Sequence, residues 1–75
     1  MSKRELLAHL ADVGEVDAYE MADALAVPYA NAAMGLLRLA RQGLAIWYED
    51  PETGLYRYAL SAHGRACLAY FTDNS

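Results

Sequence analysis

The chain has 75 residues, a hydrophobic fraction of 56% and a net charge of −4. That length makes one small domain, the apolar content excludes disorder, and the acidic balance excludes a generic polycation that coats nucleic acid. One cysteine, Cys67, excludes an intrachain disulfide. The opening residues carry Glu5 and Asp12 and do not read as a signal peptide. The uncharged run from Ala24 to Leu37 is too short for a membrane span, so a cytoplasmic protein with no membrane partner is expected.

Helix 1 is predicted over about residues 3–13. Ser2 caps it, Glu5 stands at the position of a capping box, and Leu6, Leu7, Leu10 and Val13 repeat at helical spacing before Gly14. Helix 2, about 18–26, has the same device in Asp17 and Glu20, with Met21, Ala22 and Leu25 facing inward. Helix 3, about 28–42, opens at Pro28 and closes at Gly43. Residues of about 45–60 read as a two-stranded hairpin around Pro51-Glu52-Thr53-Gly54. Ile46 and Tyr48 share one face of the first strand, and Tyr56, Tyr58 and Leu60 one face of the second. If Ile46 points in, Trp47 lies outward, where it covers the hairpin's own surface, stacks on Arg57 or anchors an interface. Helix 4, about 62–71, starts at an N-cap, Ser61, and pairs Leu68 with Phe71.

Charge is unevenly distributed. Asp12, Glu15, Asp17, Glu20 and Asp23 contain no base among them, and Glu49, Asp50 and Glu52 cluster in the hairpin. Between them, Ala24 to Tyr48 holds only Arg38 and Arg41 as charges. Helix 3 is also apolar or small on every side. Leu36, Leu39, Ala32 and Ala40 fit a core face, which leaves Ala30, Ala33, Met34 and Leu37 opposite. A helix of that kind is normally buried on two sides.

Two stretches carry a family resemblance. "LAVPYANAAMGLLRLARQGLA" is similar to the turn and recognition helix of MarR-like and related regulators. "YALSAHGRACL" resembles the Y-x-L-T-x-x-G-R-x-x-L that follows the wing in many of them. The resemblance implies an α+β, mainly α, winged helix-turn-helix fold: three helices, a two-stranded wing and a C-terminal helix in a single domain over residues 1–75. It implies a transcriptional regulator that places helix 3 in the major groove of double-stranded DNA, with the wing on backbone or minor groove. The implied groove-facing positions are Tyr29, Ala30, Asn31, Ala33, Met34, Leu37 and Arg38, with Arg41 near phosphate and Arg57 on the wing. The helix offers few hydrogen-bonding side chains and the wing tip is acidic, so DNA binding is expected to be weak alone or dimer-dependent.

The alternative reading is a protein-interaction module without DNA binding. Its interface would use Ala33, Leu37 and Trp47, with Tyr70 and Phe71 of helix 4 as contacts for a homodimer or another protein. Nothing suggests an enzyme. No serine or cysteine has a plausible base, the glycines form no phosphate loop, and His9 and His63 lack ligand spacing, so neither a metal nor another cofactor is expected.

Overall fold

A computed structural model describes residues 1–73, with side chains through Phe71. The order is α1 (Lys3–Val13), β1 (Val16–Asp17), α2 (Ala18–Leu25), α3 (Tyr29–Arg41), β2 (Ala45–Glu49), β3 (Tyr56–Leu60) and α4 (Ala62–Asp73). Local chemistry accounts for most of these limits. Ser2 Oγ accepts the amide N–H of Glu5 at 3.2 Å at the start of α1. At α2 the box is complete: Asp17 Oδ1 accepts from the Glu20 amide at 2.8 Å, and Glu20 Oε1 accepts from the Asp17 amide at 2.9 Å. Gly43, at φ +75°, ends α3, and the Leu44 amide donates back to the Leu39 carbonyl at 2.9 Å. This is the closing bond of a Schellman motif, with both leucines buried beside it.

The turn between α2 and α3 is Ala26-Val27-Pro28. Ala26 adopts φ +54°, a left-handed conformation uncommon outside glycine, and the Val27 amide bonds to the Ala22 carbonyl at 3.0 Å. Pro28 lies just before α3 and fixes the chain's entry to it. The core comprises Leu6, Leu7 and Leu10 of α1, Met21 of α2, Leu36 and Leu39 of α3, and Leu44, Tyr58 and Leu60 around the sheet. Leu25, Val27, Cys67, Leu68 and Phe71 pack against it half-buried.

The sheet has three strands, in the order β1-β3-β2, where the sequence suggested two. The additional strand is a two-residue antiparallel pairing of Val16 with Tyr58 and Asp17 with Arg57. Tyr56, Tyr58 and Leu60 share one face of β3 as the sequence suggests, but on β2 the facing is the reverse of one with Ile46 inward. Ala45 pairs with Leu60, Trp47 with Tyr58 and Glu49 with Tyr56, so these residues share the inward face. Ile46 and Tyr48 stand on the other face, opposite Ala59 and Arg57, and Ile46 is 60% exposed. The reason lies at the base of the wing. Leu44 and Ala45 are buried, and the Ser61 amide donates to the Leu44 carbonyl at 3.0 Å, which fixes which rows turn inward. Trp47 is thus on the inward face but lies beyond the core, 54% exposed, with its ring edge-on to Tyr56 at 4.9 Å. The expected Trp47–Arg57 stack does not form, because the two side chains leave the sheet on opposite faces.

Among the described residues, no helix is long and apolar enough to cross a membrane. No group of histidine, cysteine and acidic side chains among them is placed to hold a metal ion.

Candidate nucleic-acid interface

Helix α3 presents three different surfaces. Ala32, Gly35, Leu36 and Leu39 are buried against the body. Two flanks remain, divided by an exposed ridge at Met34, which borders hollows on both sides.

The first flank faces the N-terminal turn of α1. Gly35 lets two α1-side side chains pack close. A Cβ at that position would lie 2.8 Å from Leu6 Cδ1 and 3.0 Å from Met1 Cε, so a larger residue would displace the ends of those side chains. Beside this contact, Lys3 and Arg38 line one shallow groove of about 140 Å³, together with Ser2 and Gln42. Asn31, Met34 and Arg38 border the adjoining hollow. Arg41 stands one helical turn beyond Arg38, in the last turn of α3, where the helix dipole favours positive charge. Among the described residues, the side chains of Lys3, Arg38 and Arg41 form no ion pair. Sequence reasoning missed Lys3. The only local signal was the Lys3-Arg4 pair at the head of an otherwise acidic N-terminal third.

The second flank faces the wing. Tyr19 and Ala18 at the start of α2, Tyr29, Ala33, Met34 and Leu37 of α3, and Leu55, Tyr56 and Tyr58 of the wing enclose a cleft of about 370 Å³. The rings of Tyr19 and Tyr29 lie 4.4 Å apart at 31°. Burial raises the Tyr58 phenol above the ordinary tyrosine value, so it stays protonated at neutral pH. No charged side chain lines the cleft among the described residues. Leu37 and Ala33, read as an outer patch, are half-buried in this cleft wall.

Arg57 lies behind the cleft, on the opposite face of the sheet. Its Nε donates to Glu15 Oε1 at 2.6 Å and its Nη1 to Glu20 Oε1 at 2.9 Å, while Asp17 Oδ2 lies 3.6 Å from Nη1. The Tyr48 hydroxyl donates to the same Glu15 oxygen at 2.7 Å. Asp17, Arg57 and Tyr48 are cross-strand neighbours in one row of the sheet, so the cluster ties β1, β3 and β2 together. Hydrogen bonds from Arg57 and Tyr48 hold the Glu15 carboxyl below its ordinary range, and the same bond to Glu15 raises the Tyr48 phenol. The Arg57 guanidinium is therefore already matched by acids, unlike the cations of the first flank.

The remaining candidates, Tyr70 and Phe71, belong to α4, which packs on α1 and β3. Tyr70 is 65% exposed, whereas Phe71 packs against the core with its ring centroid 6.3 Å from that of Tyr70.

No family model and no curated protein matches the chain. Solved structures do. A mutant of MepR from S. aureus superposes with a TM-score of 0.86 at 20% identity, over 95% of this chain and 54% of that one. A probable transcriptional regulator from Pseudomonas aeruginosa gives 0.81 at 26% identity, over 91% and 52%. A mutant of MarR from E. coli, complexed with operator DNA, gives 0.83 at 17% identity, over 91% and 49%. The chain spans about half the length of these proteins. Its four helices and small antiparallel sheet have the winged helix-turn-helix fold of the MarR-like regulators.

Proposed function

We propose that the chain is the DNA-reading part of a transcriptional regulator, with the contact centred on α3 and its α1 flank. One observation carries this reading. In a chain of net charge −4, Lys3, Arg38 and Arg41 form no ion pair among the described residues, and they lie on or beside the helix that corresponds in fold to the reading helix of a winged helix. In this account Asn31, Met34 and Arg38 enter the major groove. Asparagine suits adenine, arginine suits guanine, and the Met34 thioether meets a thymine methyl. Lys3 and Arg41 take phosphates on either side. Tyr29, which the sequence places in the contact set, lines the wing-side cleft against Tyr19 and is left out of that set. Arg57 is left out of the contact set, because three carboxylates already surround it.

A MarR mutant with the same fold has been solved with operator DNA, which supports the reading. Such a function belongs in the cytoplasm, beside the chromosome. It is non-enzymatic, like that of the regulators the chain resembles. With so few phosphate contacts, a single copy binds weakly. We therefore expect two copies on a two-fold site, with the exposed Tyr70 of α4 in the contact and Phe71, which packs on the core, behind it.

The test is retention of a pool of genomic duplex fragments at rising salt, followed by sequencing of what is retained. One enriched motif and retention that falls as salt rises are expected. Absence of retention at low salt, from a folded protein, would refute the reading.

A further inference from the structure

We propose that the cleft between α3 and the wing docks a protein segment that carries an aromatic or aliphatic anchor flanked by lysine or arginine. This site lies across the Met34 ridge from the phosphate-binding flank, and it does not depend on the DNA reading.

The interior determines the anchor. A cleft of about 370 Å³ lined by tyrosines, Met34 and Leu37 has the size and chemistry to take one or two large apolar side chains. Tyr19, Tyr29 and Tyr56 are each about half exposed, although their rings form the walls. Tyrosine is enriched among residues that dominate binding energy at protein interfaces, because it brings a large rigid surface and a polar tip. Its ring face also attracts a lysine or arginine at the edge of the contact.

The rim determines the charge of the partner. Glu49 is the direct cross-strand neighbour of Tyr56 on the cleft side of the sheet. Asp50 is bonded through its backbone to the loop that closes the cleft, donating to the Leu55 carbonyl at 2.8 Å and accepting from the Gly54 amide at 2.7 Å. Glu52 follows in the same turn. Among the described residues, these acids form no ion pair. The nearest base in sequence, Arg57, faces the other side of the sheet and is held by Glu15, Asp17 and Glu20. A phosphate approaching this rim meets uncompensated negative charge, whereas a basic segment finds its counter-charges in place.

The experiment selects random 12-residue peptides displayed on phage against the immobilised chain. A selected peptide is then synthesised together with a twin whose lysines and arginines are replaced by glutamate. Binding is followed by the emission of Trp47, the single tryptophan, whose ring touches Tyr56 of the cleft wall. Selected peptides should combine an apolar or aromatic residue with neighbouring lysine or arginine, and the glutamate twin should not bind. Affinity should fall at least tenfold in Tyr29→Ala, fall again with Glu49→Gln plus Glu52→Gln, and stay unchanged in Arg38→Ala. Leu37→Glu, checked for folding by circular dichroism, is a second lesion in the cleft wall. Enrichment of acidic peptides, no enrichment, or binding lost in Arg38→Ala but not in Tyr29→Ala would overturn the proposal. So would self-association of the wild type that Tyr29→Ala abolishes, which would make a second copy the occupant.

Discussion

The two flanks of α3 are built from one helix and differ in almost every physical respect. On the α1 side, Gly35 lies against the Leu6 and Met1 side chains, and Lys3 and Arg38 line a shallow groove with Arg41 one turn further along α3. Among the described residues these three cations form no ion pair. On the wing side, tyrosines line an uncharged cleft beneath an acidic turn. A helix that is apolar on all sides in sequence is, in the fold, a buried stripe with one polar and one apolar margin. The net charge of the whole chain therefore says little about what either margin binds; the local arrangement decides it.

The comparison can be broken by removing charge from each side. The largest effect should come from Arg38→Ala combined with Arg41→Ala. Losing the Arg41 phosphate contact should lower the slope of log affinity for duplex DNA against log salt by roughly 0.9, and losing the Arg38 base contact should cost about 1–3 kcal/mol of discrimination at its base pair. Lys3→Ala should lower the slope by a similar amount, roughly 0.9, with no loss of base discrimination, although Lys3 lies outside the helix-turn-helix. Both are read from fluorescence anisotropy at several salt concentrations. A smaller effect of opposite sign is expected from Glu49→Gln with Glu52→Gln. DNA affinity should rise slightly at low salt and return to the wild-type value above about 0.15 M, where the Debye length has shrunk to about 8 Å.

The smallest effect on DNA belongs to Arg57→Met. The salt slope should stay unchanged, while the wing amides exchange faster with solvent than in the wild type. The acids that hold Arg57 also set a pH dependence. The Glu15 carboxyl titrates lower in the folded chain than in the unfolded one, so its stabilising effect is present above the unfolded value. It is lost as pH falls through the folded value, below the usual carboxylate range. Acid unfolding followed by circular dichroism should therefore be shallower in Glu15→Gln than in the wild type over that window.

Much of the fold is legible from short-range chemistry. Ser2, Asp17 and Ser61 mark helix starts, Gly14 and Gly43 mark ends, and the leucine spacing gives the inward faces. What the sequence hid is what depends on distant partners. A two-residue strand has no alternation to detect, and Val16-Asp17 is a strand only because β3 lies beside it. Ile46 is the more apolar residue and invites an inward assignment, but the small Ala45 is the one that fits beneath Leu60 at the base of the wing. Arg57 resembles a free wing cation until Glu15, 42 residues away, is found against it. Lys3 joins the α3 surface because α1 packs against α3 beside Gly35, a juxtaposition of residues distant in sequence. On α3, helical spacing gives the buried stripe of Ala32, Leu36 and Leu39, but of the four residues it leaves opposite, Ala30 and Met34 are exposed while Ala33 and Leu37 are half-buried. The division of that helix into two flanks is not legible in the sequence, because α1 and the wing impose it.

The most direct test of this division is a chemical-shift titration of the nitrogen-15-labelled chain with a duplex carrying the enriched motif. The account predicts that the largest shifts fall on Lys3, Asn31, Met34, Arg38 and Gln42, while Tyr56, Leu55 and Glu49 stay nearly still. Shifts concentrated on Tyr19, Leu55 and Tyr56, with Lys3 and Arg38 unmoved, would place the nucleic acid in the aromatic cleft and contradict it.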